Sequence, residues 1–499
     1  MTKMRNRPGA VMLLIILLFL LPRVFLLGTD ISNSDALRWH RRSDNFLQAL
    51  KNQNFEKTYQ RYHPGVTAMW AGAVSEQILN EYQKLKGDEI ATLENAEFYP
   101  VLHALSKLVL IAILAFCFAL QIYLVSKLFG SKTALLFGII ISTEPYFIGI
   151  NRWFHLSSME AMFSLNVLLL LMYFIQTNKL RFIVLSGFFA GLGLLTKMTV
   201  SITIAFSFSY ILYRVFRNKT KFNAAVFYVI SICVTVLVLF PALWVKPMFV
   251  FWSMYSAIVN AVFEDIRGEL LTLPQKLFYY PIILLFKMSP VVLIIGVYSI
   301  INTFKRVTSK EFVLGVYLVF LVTFLTITDQ KIDRYSIALF PFWILLVANT
   351  LSKLKPRILT VLLSIHVATF IWATSVYYPV YSAFINPLFG HKFVLNAGFY
   401  ENSGEYFSEA AFYLNIKGRN IRTHVPNNIE SFKPYYKGKL TGLLDDADYV
   451  VYSLDFDRKS FPAIKDCKID KYFGNRLYKP VAVYACNNVS LKTKSYLVR

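Results

Sequence analysis

Long apolar runs separated by short polar segments dominate the first three quarters of the chain. They lie at residues 10–27, 101–125, 133–150, 161–175, 182–196, 198–213, 224–244, 281–301, 312–328, 335–351 and 358–377. A helix of about 20 mainly apolar residues crosses a hydrocarbon layer about 30 Å thick. The pattern therefore predicts an α-helical polytopic membrane protein with about 11 transmembrane helices. Outer-membrane barrels show short alternating segments instead, so they are excluded.

The composition supports a membrane protein and changes what the net charge implies about partners. Of the 499 residues, 56% are hydrophobic and 16% are charged, which is more apolar side chain than one soluble core of ordinary size can bury. The formal net charge of +23 would suggest nucleic acid as the partner of a soluble protein. Because this chain is so apolar, we expect membrane lipids and no nucleic acid among its partners.

The distribution of basic residues predicts the orientation. The polar segments predicted on the same side of the membrane as the N-terminus carry Lys and Arg and no acidic residue, as in 214–221 and 305–310. Short cytoplasmic loops are enriched in these residues, so we expect a multi-pass protein of the plasma (inner) membrane with a cytoplasmic N-terminus. The first run resembles a signal peptide without a small-residue cleavage site, and we interpret it as an uncleaved span. The polar regions predicted outside are residues 28–100, 151–160, 245–280 and 379–499.

Composition divides the chain into two predicted domains. Residues 1–378 form the transmembrane domain, which includes the first outer loop at 28–100, and residues 379–499 form a soluble extracytoplasmic domain. This second domain contains strand-like runs at 449–454 and 480–485 and a helix-like run at 404–414, which predict a small α/β fold. Cys467 and Cys486 lie within it, and they can form a disulfide if the domain faces an oxidising compartment.

The first candidate site is the stretch from Ser32 to Phe46 in the first outer loop. Asp35 follows the first span by a few residues, so we expect it at the membrane interface. A helix that starts near Asp35 would place Arg38, Trp39 and Arg42 on its side. One interpretation is a helix-capping Asp beside interfacial side chains. The other is a catalytic carboxylate, which can take the proton of an acceptor hydroxyl as that hydroxyl attacks a sugar carbon.

Two further segments carry ionisable side chains. His63-Pro64-Gly65 in the same loop is by itself only a turn, and a lone loop His is usually a surface residue. Arg152, His155 and Glu160 stand between two apolar runs, where ionisable groups are costly and therefore become functional candidates. Snorkelling at the boundary explains Arg152, but it explains Glu160 poorly.

The fourth segment, from Thr328 to Tyr335, precedes the tenth run on the outer side. Lys331 and Arg334 are two cations placed against the positive-inside trend, which favours a bound anion such as a lipid phosphate at headgroup depth. The alternative is local pairing with Asp329 and Asp333, which contributes about 0 to 1 kcal/mol at an exposed site.

Taken in this order, the four segments resemble those of membrane glycosyltransferases of the GT-C fold. The resemblance is to the bacterial relatives of dolichyl-phosphate-mannose protein mannosyltransferases and to the lipid A aminoarabinose transferases. Two further motifs support it: Gly-Leu-x-x-Leu-Thr-Lys at residues 191–197 and Lys-x-x-Arg-Tyr at residues 331–335. Residues 386–390 and 398–402 resemble the region that follows the membrane domain in bacterial members.

The resemblance implies a polyprenyl-phosphate sugar donor and transfer of the sugar, with inversion, to a hydroxyl of a lipid, glycan or protein. It implies a hexosyl- or mannosyl-type transferase whose catalytic residues are Asp35 and Glu160. The donor-phosphate residues carried over are Lys331, Arg334, Arg38, Arg152 and His63, with His155 and Tyr335 as additional candidates. Two departures from the family pattern concern the acids: Ala36 stands where a second acid usually follows the first, and Ser157 stands where Asp is common.

Two other functions and one metal site fit the residues less well. A polar-lipid transporter or flippase would place its charges near the bilayer midplane, with inverted repeats, and the charges here gather at the outer edge. A binding protein that acts through its C-terminal domain would need only one helix as an anchor. A divalent metal held by Asp35 with His63 or His155 is chemically reasonable, but no spacing demands one.

Overall fold

The computed structural model describes residues 8–60, 64–87, 93, 95–263, 271–305, 309–455, 461, 464 and 467–486. Helices make up most of this part of the chain. In chain order they are α1 Pro8–Val24, α2 Ala36–Lys51, α3 Val66–Lys86, α4 Phe98–Phe129, α5 Ser131–Thr143, α6 Pro145–Asn151, α7 Ser157–Thr177, α8 Leu180–Thr196, α9 Val200–Phe216, α10 Asn223–Leu239, α11 Ala242–Val245, α12 Pro247–Phe263, α13 Leu273–Leu277, α14 Tyr279–Lys287, α15 Pro290–Thr303, α16 Lys310–Ile327, α17 Phe340–Ser352, α18 Pro356–Tyr377, α19 His391–Asn396, α20 Phe407–Lys417 and α21 Ile429–Phe432.

Every predicted apolar run coincides with a helix or a pair of helices. Among the described residues, five helices are long and apolar enough to cross a membrane, or six if the bent pair α5 and α6 is one span. The remaining runs correspond to apolar helices of 10–17 residues. The chain is therefore a multi-pass membrane protein, as predicted, and the figure of about 11 spans stays a prediction.

α7 forms the centre of the helical bundle. Within its apolar window 89% of the residues are buried, whereas in α18, at the edge, only 11% are. α7 packs against α4 and α8 and is apolar on all sides, which is the pattern of a helix enclosed by other helices. The segment that leads into α7, residues 152–156, is therefore held by the most enclosed part of the bundle.

α5 and α6 meet at a sharp bend. The two helices differ in direction by 68°, and Pro145 follows the break as the first residue of α6. Proline cannot donate the backbone hydrogen bond that would continue a helix. The bend directs α6 toward the segment that carries Arg152 and His155.

One region differs from its predicted character. Residues 245–280 were expected to be a polar outer segment, but α12 within them is apolar and exposed, with Phe249, Phe251 and Trp252 each more than half accessible. The basic loops and the alternation of sides along the chain place this segment between two spans. That alternation does not test whether the segment is itself apolar.

The C-terminal region contains the predicted α/β fold. Within the described residues its sheet has five strands in the order β2-β1-β3-β5-β4. The strands are β1 Arg422–His424, β2 Lys439–Leu440, β3 Tyr449–Ser453, β4 Cys467–Phe473 and β5 Val481–Cys486. β1 is parallel to β2 and β3, whereas β5 is antiparallel to β3 and β4. A disulfide joins Cys467 to Cys486, which face each other across β4 and β5.

The region after α18 also packs against the first loop. The Ser34 amide donates to the Ser403 carbonyl at 2.9 Å, and the Tyr435 hydroxyl donates to the Gly28 carbonyl at 2.8 Å. The boundary at residue 378 stays a prediction, and the segment beyond it contributes directly to the surroundings of Asp35.

Candidate active site

Asp35 is the residue that precedes α2, but it does not act as a helix cap. In the described part of the chain its carboxylate accepts no hydrogen bond from the first N–H groups of α2. Its Oδ2 atom instead accepts a hydrogen bond from Nη2 of Arg334 at 2.9 Å, across a sequence separation of 299 residues. The side chain of Asp35 is 24% exposed and that of Arg334 is 13% exposed. The capping interpretation is therefore wrong, and the structure brings together Asp35 and Arg334, two of the candidate site residues.

Arg334 has a buried donor that the pair with Asp35 does not use. Its Nε is buried and, among the described residues, has no hydrogen-bond partner. Because a guanidinium presents its donors in a planar fork, Nη2 of Arg334 can contact Asp35 while Nε, on the same edge, remains available to a second acceptor. A buried donor without a partner costs free energy, so an incoming anion would be stabilised at this position.

His155 is the third member of the cluster. Its Nε2 lies 3.6 Å from Oδ2 of Asp35, and its Nδ1 accepts a hydrogen bond from the Ser157 amide at 3.2 Å. In the neutral ring this arrangement assigns the proton to Nε2, which faces the carboxylate. Burial lowers the pKa of His155 below its ordinary value of 6.5, and the Asp35 carboxylate only partly opposes that effect.

The charges around Asp35 keep it ionised. Burial by itself raises the pKa of the Asp35 carboxyl, but the guanidinium of Arg334 and the ring of His155 outweigh burial and lower the pKa well below its ordinary value of 3.8. Arg38 adds a weaker influence, because its Nη1 is 3.8 Å from Oδ1 and its side chain is 51% exposed. At neutral pH the site therefore presents a carboxylate that can accept a proton.

A second ion pair lies beside the first. Nζ of Lys197 donates to Oε2 of Glu160 at 2.8 Å, and these side chains are only 4% and 6% exposed. Thr199 also donates its hydroxyl to Glu160. The ammonium of Lys197 lies 3.9 Å from the centre of the Tyr335 ring, and Tyr335 follows Arg334 directly. Glu160 is thus linked through Lys197 to the segment that holds Arg334.

Arg152 does not join this cluster. It is fully buried, and its Nε and Nη2 donate to Oδ2 of Asp30 at 3.1 and 2.8 Å. Its Nη1 and Nη2 also donate to the carbonyls of Pro22 and Phe25. A buried cation requires such partners, so the structure gives Arg152 a carboxylate of the protein where the sequence suggested a donor phosphate.

Lys331 also has partners other than those expected. Its Nζ donates to the carbonyls of Leu325, Thr326 and Thr328 at 3.2, 2.7 and 2.5 Å. The last carbonyls of a helix lack partners inside the helix, and in a membrane no water replaces them. Lys331 therefore stabilises the end of α16, whereas Arg334, the other cation predicted in this segment, contacts Asp35.

His63 lies outside the described residues, but the glycine of its motif has a clear role. Gly65 precedes α3 with φ +57°, and a Cβ atom there would lie 2.1 Å from the ring of Trp39. Only glycine combines this left-handed conformation with so close an approach. The turn before α3 therefore packs closely against Trp39 of α2, four residues after Asp35.

Sequence reasoning did not assign Lys197 or Asp30 to the site. Lys197 was visible as the last residue of the Gly-Leu-x-x-Leu-Thr-Lys motif, and a cation inside an apolar run is a signal of its own. Asp30 is an acid at the end of the first apolar run, a position as unusual as that of Glu160. Their partners lie far away in the chain, so only the packing of the helices reveals the pairs.

Asp35 and His155 are the two described side chains of the cluster that could ligate a divalent cation. In the part of the chain that the structure describes, no group of three or more His, Cys, Asp or Glu side chains has the arrangement of a metal site. The involvement of a metal stays untested.

Part of the chain matches a family of known activity. The sequence model of the dolichyl-phosphate-mannose-protein mannosyltransferase family matches residues 103–245. This segment is less than a third of the chain, and it contains His155, Glu160 and Lys197.

Solved structures extend the likeness to nearly the whole chain. ArnT from Cupriavidus metallidurans, bound to undecaprenyl phosphate, has 12% sequence identity and a TM-score of 0.55 over 96% of this chain and 98% of that one. The same protein in its apo state gives 12% identity and a TM-score of 0.53 over 95% and 97%. The chain has the GT-C glycosyltransferase fold. The GT-C resemblance expected from the ordered motifs is thereby confirmed.

A further GT-C structure is less similar. The Archaeoglobus fulgidus oligosaccharyltransferase, tethered to an acceptor peptide, has 12% identity and a TM-score of 0.49 over 89% of this chain and 68% of that one. Among curated protein sequences none matches the chain.

Proposed function

We propose that this GT-C protein transfers a sugar from a polyprenyl-phosphate donor to a hydroxyl of a lipid, glycan or protein acceptor, with inversion. The observation that supports this most strongly is the meeting of Asp35, His155 and Arg334, which come from three distant segments of the chain. A carboxylate and a cation at one end of an apolar bundle are the groups that attack on a lipid-linked sugar requires. A lipid-phosphate leaving group needs no nucleotide-binding domain.

In the proposed reaction Asp35 is the general base. The acceptor oxygen bonds to the anomeric carbon of the sugar, the bond from that carbon to the phosphate oxygen breaks, and the hydroxyl proton passes to Asp35. General-base help of this kind contributes about 10²- to 10⁴-fold to the rate. His155 presents its Nε2 proton to the same carboxylate and keeps it oriented.

Arg334 stabilises the leaving group in this proposal. As the sugar–phosphate bond breaks, negative charge grows on the polyprenyl phosphate, and a fixed cation lowers the energy of that state. The unpartnered Nε of Arg334 is the donor that would meet a phosphate oxygen. Arg38 is half exposed beside Asp35 and supplies a second cation next to the carboxylate.

Glu160 and Lys197 have a supporting role in this proposal. Because Glu160 is already held by Lys197 and Thr199, it is poorly placed to take a proton from an acceptor. The pair instead fixes the ring of Tyr335 and so the backbone that presents Arg334. We also propose that the reaction takes place on the outer face of the plasma membrane, which the predicted cytoplasmic location of the basic loops supports.

The experiment is transfer of radiolabel by the purified full-length protein in detergent micelles. Polyprenyl-phosphate mannose and other polyprenyl-phosphate hexoses are the donors, and membrane lipids and glycans of the native host are the acceptors. We expect label to move from at least one donor into an acceptor fraction. Micelles have no second compartment, so transfer would exclude transport as the sole activity. Folded protein that moves label only across sealed vesicles would contradict the proposal.

A substitution separates the remaining alternative, a binding module on an anchor. Such a module would act through the region from residue 400 onward, so Asp35→Asn should leave its activity unchanged, whereas under the proposed function this variant loses transfer although residues 400–499 are intact. Because Ser403 contacts Ser34 and Glu401 accepts a hydrogen bond from the amide of Asp333 at 3.3 Å, we also expect removal of residues 400–499 to abolish transfer.

A further inference from the structure

Asp30 is a buried acid that pairs with cations from two different elements. Its Oδ1 accepts a hydrogen bond from Nζ of Lys107 on α4 at 2.8 Å, and its Oδ2 accepts from Nε and Nη2 of Arg152 at 3.1 and 2.8 Å. The side chains of Asp30 and Lys107 are 0% exposed and that of Arg152 is 1% exposed. In a membrane protein such buried ions are costly unless paired, so the structure around Asp30 is strongly determined.

The backbone after Asp30 is fastened as well. The carbonyl of Ile31 accepts from Nζ of Lys107 at 2.5 Å and lies 3.0 Å from Nε2 of His103. The hydroxyls of Ser32 and Tyr99 are 2.7 Å apart. The three partners are all on α4, so this helix holds residues 30–32, the first part of the segment that leads to Asp35.

The same segment is joined to the C-terminal region. The Ser408 hydroxyl, on α20, donates to the carbonyl of Asp30 at 3.2 Å, and the Ser34 amide donates to the carbonyl of Ser403 at 2.9 Å. Asp30 therefore lies where the bundle, the first loop and the C-terminal region meet.

The ion pair between Asp30 and Arg152 connects two members of the site. Asp30 precedes Asp35 by five residues, and Arg152 precedes His155 by three. The segments that carry the carboxylate and the ring are thus fixed to each other a short distance from the point where Asp35 and His155 approach to 3.6 Å. A change at the pair moves one segment relative to the other.

We propose that Asp30 is a positioning residue, which acts through Arg152 and Lys107 to hold Asp35 in register with His155 and Arg334. This inference rests on the proposed function, because it concerns the geometry of the proposed reaction. Asp30 itself is enclosed and does not touch substrate. A misplacement of about 1 Å at a reacting group can cost about 100-fold in rate, so the predicted effect of losing Asp30 is on kcat and not on donor binding.

The experiment compares three variants in the transfer assay. Asp30→Asn keeps the shape and removes the charge. Arg152→Lys keeps the charge but removes the fork, and it serves if Asp30→Asn does not fold. Glu311→Gln is the control, because it removes a carboxylate that pairs with Lys353 at 3.0 Å, at the end of α16 opposite the segment that carries Arg334. Folded protein is isolated by size exclusion, and kcat and the donor KM are measured separately.

We expect Asp30→Asn to lower kcat by about 100-fold, with the donor KM within about threefold and the control at wild-type values. A normal kcat in folded Asp30→Asn protein would overturn the inference, and so would an effect confined to KM. A second measurement, cross-linking, does not depend on sugar transfer. Ser34→Cys with Ser403→Cys should cross-link readily in the wild-type background, and at least fivefold more slowly with Asp30→Asn. If the wild type transfers no sugar, the proposed function fails, whereas equal cross-linking rates refute the positioning role alone.

Discussion

Glu160 and Lys197 form a buried ion pair, and its energetics can be tested by a double-mutant cycle. The proposed variants are Glu160→Gln and Lys197→Met, which preserve shape, and the double variant. Each single change leaves one buried charge without its partner, and the loss of one partner of a buried pair costs about 3–5 kcal/mol. The double change removes both charges and both desolvation costs, so it should destabilise the protein less than either single change.

The size of the effect follows from the burial of the pair. At 2.8 Å, with side chains 4% and 6% exposed, little water screens the interaction. With an unfolding entropy of about 2.1 cal/mol/K per residue, 3–5 kcal/mol lowers the thermal midpoint of a chain of 499 residues by about 3–5 °C. The control is Glu311→Gln with Lys353→Met, an ion pair at 3.0 Å in which the lysine is 59% exposed. Exposed pairs contribute about 0–1 kcal/mol, so this cycle should shift the midpoint by about 1 °C or less.

The assay is thermal unfolding of purified protein in one detergent, followed by tryptophan fluorescence. The reasoning predicts that Glu160→Gln and Lys197→Met each lower the midpoint and that the double variant recovers most of the loss. Additive losses in the double variant would refute it, since they would mean that the two charges do not depend on each other.

Three further predictions concern Asp35, the turn before α3 and the disulfide of the C-terminal sheet. Arg334→Gln should raise the pKa of Asp35 by about 1–3 units, because burial, which raises that pKa, is then opposed only by weaker neighbours. The carboxylate is lost as the pH falls through its pKa, so the acid limb of kcat/KM should move to higher pH, and an unmoved limb would contradict this. Gly65→Ala should lower the thermal midpoint, since it places a Cβ atom 2.1 Å from the ring of Trp39 at φ +57°; a strain of about 1–3 kcal/mol is expected, and an unchanged midpoint would speak against it. Cys467→Ser should destabilise the C-terminal sheet by about 2–4 kcal/mol, as for disulfides that close loops of this kind. The measurement is the rate at which a protease cleaves that region in the absence of reductant, which should rise in the variant.

The sequence predicted the parts of this protein that depend on local pattern. The apolar runs became helices because a run of about 20 apolar residues has few other stable forms in a membrane. The strand-like run at 449–454 became β3 and the helix-like run at 404–414 became α20, with ends shifted by at most three residues. The apolar character of α12 was not predicted, because the alternation of sides along the chain places residues 245–280 between two spans without testing whether they are themselves apolar.

The site was predictable only in part, for a physical reason. Asp35 and Arg334 each stood out as an ion where ions are unusual, and they do meet. Arg152 stood out equally, but it is neutralised by Asp30 within the fold. A charged residue beside or within an apolar run is visible in the sequence, and if it is buried it must have a partner. Whether that partner is a protein carboxylate or a substrate phosphate depends on the packing of distant helices.

The most direct test of the central claim is transfer by Asp35→Asn protein. The change keeps the shape of the side chain and removes the proton acceptor, so the account predicts a loss of about 10²- to 10⁴-fold in kcat. Asp44→Asn is the matched control, because Asp44 lies on the same helix, α2, more than two turns beyond Asp35, and accepts a hydrogen bond from Gln48. Transfer of labelled sugar from a polyprenyl-phosphate donor at the wild-type rate by folded Asp35→Asn protein would contradict the account.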